Sequence, residues 1–215
     1  MADDLKYGYK GAEPTQSFGN NTGVFDPNDI NNLIADNKWT QFGQLELIET
    51  QTYSIAVTNI DFTSIQESEY NVHFLTANNI KNNAVSNSSV LVRLFENGVI
   101  ETGNVYQYSL QSGSATGSFG GSVSTGTSFI IPTIGIDTGT NVATNLYVYF
   151  YNLGDSSKYS FTSFQESGFD GGSVFYTEFG SGVLPQASTV DGIRFTANTS
   201  TFADFDISLY GIRYS

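Results

Sequence analysis

Ser89-Val90-Leu91-Val92-Arg93-Leu94-Phe95-Glu96-Asn97-Gly98-Val99-Ile100 is the stretch on which the reading of the whole chain depends. Its side chains divide with period two. Val90, Val92 and Leu94 fall on one face and Leu91, Arg93 and Phe95 on the other, which is the pattern of a strand. Asn97-Gly98 then supplies two residues that tolerate positive φ, and the apolar run resumes at Val99-Ile100. The segment therefore predicts a hairpin closed by a type I′ turn.

The same rhythm extends both ways. Leu45, Leu47 and Thr50 to Asp61 alternate or run β-branched, and Val72, Phe74 and Thr76 lie opposite Asn71, His73 and Leu75. The Gly/Ser-rich tract Ser112 to Gly126 reads as the loop of a second hairpin, flanked by Tyr106–Leu110 and Phe129–Ile134, with Pro132 confining its strand to an edge or bulge. Asn145 to Tyr151 (NLYVYFY) shows no polar face, as suits a central strand with the core on one side and a neighbouring chain or helix on the other. The two phrases Ile60-Asp61-Phe62-Thr63-Ser64-Ile65-Gln66-Glu67-Ser68 and Tyr159-Ser160-Phe161-Thr162-Ser163-Phe164-Gln165-Glu166-Ser167 share Phe-Thr-Ser-x-Gln-Glu-Ser. They are read as equivalent strand ends in two halves of a sandwich. Phe205, Ile207 and Leu209 alternate with Asp206, Ser208 and Tyr210 up to the end of the chain. Nine or ten strands with turns between them and no βαβ rhythm predict an all-β fold, an antiparallel β-sandwich of jelly-roll type over residues 45–215.

Residues 1–44 read differently, as an arm with one short helix over 27–38. Asp26 is placed to cap it, Pro27 fits the first helical position, and Asp29 complements the dipole. Ile30, Leu33 and Ile34 make one narrow apolar stripe. So short a helix, rich in asparagine, is marginal alone and needs a surface to dock on. Tyr7, Tyr9, Phe18, Phe25, Ile30, Leu33, Ile34 and Trp39 are the candidate partner-binding residues of this arm.

Composition excludes several functions. Twenty-one acidic against eight basic residues give a net charge of −13, which repels phosphate backbones and anionic lipid, so neither nucleic acid nor a membrane is an expected partner. The chain has no cysteine, and no thiolate metal site or disulfide is available to it. The N-terminal MADDLKYGYK lacks an apolar signal segment, which leaves the cytosol or release by lysis as the expectation.

No catalytic constellation stands out. His73 is the single histidine and cannot build a relay or a zinc site. Glu67/Glu69 and Asp204/Asp206 have the i, i+2 spacing that puts two carboxylates on one strand face, the minimum for a glycosidase, but both pairs lie beside turns. Asp137, Asp155 and Asp170 are acidic loop residues without the ligand rhythm of a calcium loop. No metal or cofactor is expected. Tyr106, Tyr108 and Tyr176 are the aromatics that a carbohydrate-binding module would use to stack on sugars, and Tyr147, Tyr149 and Tyr151 form the candidate subunit contact.

Tyr70-Asn71-Val72-His73-Phe74, Ser88-Ser89-Val90-Leu91-Val92-Arg93-Leu94, Tyr106-Gln107-Tyr108, Tyr151-Asn152-Leu153-Gly154-Asp155-Ser156-Ser157-Lys158-Tyr159 and Ile207-Ser208-Leu209-Tyr210-Gly211-Ile212-Arg213 together resemble small jelly-roll virion proteins of marine tailed phages, cyanophage-like ones included. Asn20-Asn21-Thr22-Gly23-Val24-Phe25 followed by a short helix resembles the N-terminal segment of some phage tail proteins. These are strand and turn phrases rather than catalytic signatures. The resemblance implies a non-enzymatic virion component, a tail or fibre appendage or a capsid decoration, with the arm docked on other virion proteins and the sandwich facing outward. It further implies a virion-surface location after synthesis in the host cytoplasm and release by lysis, a homo-oligomer with a trimer favoured, and a host-surface glycan as a further partner.

Overall fold

The computed structural model describes residues 27–35, 45–83, 88–139, 141–169 and 174–212. One helix, α1 (Pro27–Ala35), precedes thirteen strands: β1 (Leu45–Tyr53), β2 (Asn59–Phe62), β3 (Val72–Asn82), β4 (Ser88–Glu96), β5 (Val99–Ile100), β6 (Tyr106–Ser114), β7 (Phe119–Thr127), β8 (Ile130–Ile136), β9 (Thr144–Tyr151), β10 (Ser160–Phe169), β11 (Phe175–Leu184), β12 (Val190–Ala197) and β13 (Phe202–Ile212). By its contacts the chain divides into two units, Met1–Gly43 with Ser215 and Gln44–Tyr214.

The strands form two antiparallel sheets, one in the order β1-β13-β3-β9-β10-β11-β6-β7 and one in the order β2-β12-β4-β5, with β8 also pairing β4. If β5–β7 and β10–β11 are set aside, eight strands remain. Numbered by chain position they run first-eighth-third-sixth in one sheet and second-seventh-fourth-fifth in the other. That interleaving, in which consecutive strands alternate between sheets except for the fourth and fifth, which pair with each other, is the strand order of a jelly roll. The fold is thus the all-β sandwich that the periodicity predicts, preceded by a short helix. The two excursions then pair with each other, β11 against β6, and widen one sheet by the four strands β10-β11-β6-β7.

A single apolar core joins the sheets. Phe62, Val90, Val92, Leu94, Ile193 and Phe195 from the smaller one meet Leu75, Leu146, Val148, Phe150, Phe164, Phe205, Ile207 and Leu209 from the larger. At about 25 cal/mol per Å² of apolar surface removed from water, each such side chain contributes roughly 1.5–3 kcal/mol. The Asn97-Gly98 turn has φ of 52° and 73°, both positive, and joins β4 to β5 as a type I′ hairpin. Proline-bearing β8 is an edge strand whose register against β4 is irregular. It also packs beneath the widened sheet, and a Cβ at Gly182 on β11 would meet the Ile130 side chain at 2.7 Å, so that crossing requires glycine.

Three expectations need correction. The Gly/Ser tract is not a loop, because most of it is strand: β6 and β7 pair from Tyr106↔Thr127 to Gly113↔Phe119 around a tight turn at Gly117. Backbone hydrogen bonding suffices there, since small side chains leave a pleated ribbon unobstructed. The repeated phrases are not equivalent. The second lies almost wholly in β10, whereas the first leaves β2 after Phe62 and turns at Gln66, where φ is 55°. Among the described residues there are thirteen strands rather than nine or ten, and β7, within the Gly/Ser tract, is one that the sequence reading places in a loop.

Helix α1 begins at Pro27 as predicted and is described to Ala35; Asp26 and residues 36–38 lie outside the described residues.

Candidate functional site

The outward face of the larger sheet is built by alternation. On β9, Leu146, Val148 and Phe150 enter the core, which turns Tyr147, Tyr149 and Tyr151 outward. Cross-strand register continues the row. Phe74 lies opposite Tyr149 on β3, Tyr210 opposite Phe74 on β13, and Phe161 opposite Tyr151 on β10. Phe179 on β11 lies opposite Gln165, and Val123 on β7 opposite Ser109 of β6. Phe74 sits 4.6 Å from Tyr149 between ring centroids, and Tyr149 and Tyr151 stack at 6.3 Å and 19°.

Four of these side chains are exposed and Phe74, Tyr149, Tyr151 and Tyr210 are half-buried. Tyr147 is 39% exposed, Phe161 45%, Phe179 54% and Val123 73%. Their orientation is held by hydrogen bonds on the same face. The Tyr147 hydroxyl donates to Gln165 Oε1 at 2.7 Å, and the Tyr151 hydroxyl lies 3.0 Å from Ser163 Oγ.

A hollow of about 220 Å³ between Phe74, Asn145 and Tyr147 is lined also by Glu166, and two larger ones share the face. One, of about 390 Å³, is walled by Tyr147, Tyr149, Tyr151 and Phe179 and floored by Ser163, Gln165, Gly180 and Ser181. The other, of about 420 Å³, lies between Phe161, Val123 and Val183 over Ser109 and Ser181. Ser181 belongs to both, so they are one continuous trough. Among the described residues, no Asp, Glu, Lys or Arg lines either hollow. The opposite face of the molecule is different. There Arg194 pairs with Asp61 across β12 and β2, with Nε at 2.6 Å from Oδ1, and lies 5.2 Å from the Phe95 ring, while Arg93 lies 5.6 Å from Phe129. Phe95 and Phe129 are thus each capped by a guanidinium group.

The other anticipated residues scatter. Tyr106 is no sugar platform: it is fully buried, and its hydroxyl accepts from Leu94 N–H at 2.9 Å. A large ring with one polar end fits a core wherever that end finds a partner. Tyr108 and Tyr176 are half-buried, with the Tyr108 hydroxyl 3.1 Å from Ser122 Oγ. His73 is buried, its Nε2 2.7 Å from the Ile65 carbonyl, and loss of hydration holds its pKa below the ordinary value. Glu67 and Glu69 sit in a turn. Asp204 pairs with Lys81 at 3.5 Å, and Asp206 accepts from Asn79 Nδ2 at 3.1 Å, with a register break between the two carboxylates. Asp155 is held by Lys158 at 2.7 Å and by Ser157, and Asp137 is buried against Thr138 N–H. Asp170 lies outside the described residues, and no group of three acidic or histidine residues suited to a metal occurs among the described ones. In α1 no residue is buried; Ile30 and Leu33 are half-exposed and Ile34 is 55% exposed. Tyr7, Tyr9, Phe18, Phe25 and Trp39 lie outside the described residues.

One pair was missed from sequence. Glu166 on β10 and Glu178 on β11 are directly opposite, and both are buried on the inward face. Burial first, and then the neighbouring Glu178 charge, push the Glu166 carboxyl up to about 9. At neutral pH it is therefore protonated. The alternation of β10 could have placed Glu166 inward with Thr162 and Phe164, but its partner lies twelve residues on and only pairing reveals it.

The fold and this face define a class: a widened jelly roll with an uncharged aromatic trough on its larger sheet. No protein-family description matches the chain, and no curated protein or solved structure matches it either.

Proposed function

We propose that the protein is a non-enzymatic structural component of a tailed-phage virion, fastened through its N-terminal arm and presenting the jelly roll outward. The observation that carries this reading is the state of α1. The jelly roll completes its core within Gln44–Tyr214, while the Ile30/Leu33/Ile34 stripe of an amphipathic helix has no buried member. An apolar stripe of this kind is a ready partner for a groove on another protein. Many copies engaging a symmetric shell or tube would convert weak single contacts into firm attachment.

Three further features support the reading. The acidic, low-charge surface suits a body that must stay soluble among nucleic acid and membranes. The Glu67/Glu69 and Asp204/Asp206 carboxylates lie in separate places rather than across a cleft, and the opposed Glu166/Glu178 pair is buried, which disfavours the glycosidase alternative. The resemblance of the strand and turn phrases to phage virion proteins points the same way.

The test is labelled electron microscopy of intact particles together with an Ile30→Ser, Leu33→Ser, Ile34→Ser variant. The expected result is a fixed position on wild-type particles and loss of incorporation by a variant that remains folded. Incorporation of the variant at wild-type level would overturn the attachment role of the helix.

A further inference from the structure

From the chemistry of the outer trough we infer that the larger sheet binds an uncharged polysaccharide chain across β9, β10, β11, β6 and β7. The trough offers what a sugar ring asks for. Its walls are flat aromatic faces, Tyr147, Tyr149, Phe161 and Phe179, against which the C–H faces of a pyranose can lie. Its floor is hydroxyl and amide, Ser109, Ser163, Gln165 and Ser181, within reach of ring hydroxyls. Apolar walls with a few convergent polar groups are the general composition of ligand sites.

Charge selects the class of glycan. No ionised side chain lines either hollow among the described residues, and the whole chain carries −13. A sulfated or uronate-bearing glycan would meet repulsion and no cation, so the occupant is neutral. Shape selects its length. Both hollows open to solvent and join through Ser181, and from β9 to β7 the face spans four strand spacings, about 19 Å. That accommodates several linked sugars rather than one. The Tyr147–Gln165 and Tyr151–Ser163 hydrogen bonds hold rings and floor in place before a ligand arrives, which lowers the ordering cost of binding.

The same chemistry disfavours a second copy as the occupant. A contact between copies would bury this hydroxyl and amide floor against an equally uncharged, concave surface, leaving polar groups to be satisfied across it. Of the Tyr106/Tyr108/Tyr176 set only Tyr108 lines this site, at the second hollow, and Tyr106 is in the core. The inference does not rest on arm attachment: the helix-stripe variant above should keep glycan affinity in full.

The experiment is binding of the full chain to an array of gluco-, manno- and galacto-configured uncharged oligosaccharides, beside sulfated and uronate-bearing ones. It is repeated with Phe179→Ser, Tyr147→Ser and the control Val99→Ser, and accompanied by sedimentation velocity. Phe179, Tyr147 and Val99 are all exposed, and unaltered unfolding midpoints confirm that the variants fold. The expected result is binding to uncharged chains that strengthens with length, falls at least about tenfold in Phe179→Ser and Tyr147→Ser, and is unchanged in Val99→Ser. Four outcomes would each overturn it. These are no uncharged ligand on the array, preference for the anionic set, equal affinity of the trough variants, or self-association of the wild type that Phe179→Ser abolishes. The last would assign the face to a contact between copies.

Discussion

Replacing Glu166 with Gln should make the protein more stable at alkaline pH and flatten the dependence of its stability on pH. Glu166 is 2% exposed, opposite Glu178, and its carboxyl is raised to about 9 in the folded protein from 4.5. Between those values the folded chain holds a proton that the unfolded chain releases, so stability falls as pH rises, by about 1.4 kcal/mol per unit. The buried His73 acts with the opposite sign. Its folded pKa is depressed, so it costs stability as pH drops below 6.5, and the two effects oppose each other on the acid side. Above 6.5 Glu166 acts alone of the two. From pH 6.5 to 8.5 it should remove about 3 kcal/mol, which for a chain of this size lowers the midpoint by about 6–12 °C. Gln has nearly the same shape and does not titrate. Thermal and urea unfolding of wild type and Glu166→Gln at pH 6.5, 7.5 and 8.5 should therefore give a difference that widens steadily in the variant's favour. Parallel curves would refute the reasoning, because they would mean that Glu166 ionises at its ordinary pH or is not buried against Glu178.

The remaining predictions concern packing and turns. Tyr106→Phe leaves the buried Leu94 N–H without its acceptor and should cost about 1–3 kcal/mol in urea unfolding, with far-UV circular dichroism unchanged. A Cβ at Gly154 would come 2.0 Å from the Glu67 carbonyl oxygen, so Gly154→Ala should cost about 1–3 kcal/mol or more; a neutral result would show that the 152–155 turn can move away from that backbone. Gly98→Val places a β-branched residue at φ 73° and should destabilise by about 1–2 kcal/mol, whereas Val99→Ser next to it should be near neutral. His73→Gln should flatten the loss of stability between pH 6.5 and 5 that a buried imidazole imposes; an unchanged acid slope would place the proton uptake elsewhere.

Much of the architecture was legible because strands announce themselves locally. The Ser89–Ile100 hairpin needed only alternation and two turn residues, and β13 needed only Phe205, Ile207 and Leu209. The Gly/Ser ribbon β6–β7 was not legible, since residues without side-chain bulk carry no period although their backbones pair as well as any others. The trough was half legible. NLYVYFY marked a strand of consequence, but its partners Phe74, Phe161 and Phe179 come from segments up to 105 residues apart, and no local pattern says that they share a face.

By itself the amino-acid order determined the all-β class, the hairpin at Asn97-Gly98, the start of the helix at Pro27 and the acidic, charge-poor, aromatic-rich character of the chain. Each depends on neighbours within a few residues, where φ, side-chain period and capping act directly. Only the tertiary structure decided the jelly-roll order, the widening of one sheet by β10-β11-β6-β7, the inward meeting of Glu166 and Glu178, and which tyrosines are buried and which form a surface. Those outcomes depend on which strands pair, and pairing is settled by the burial of one whole face against another rather than by any single segment.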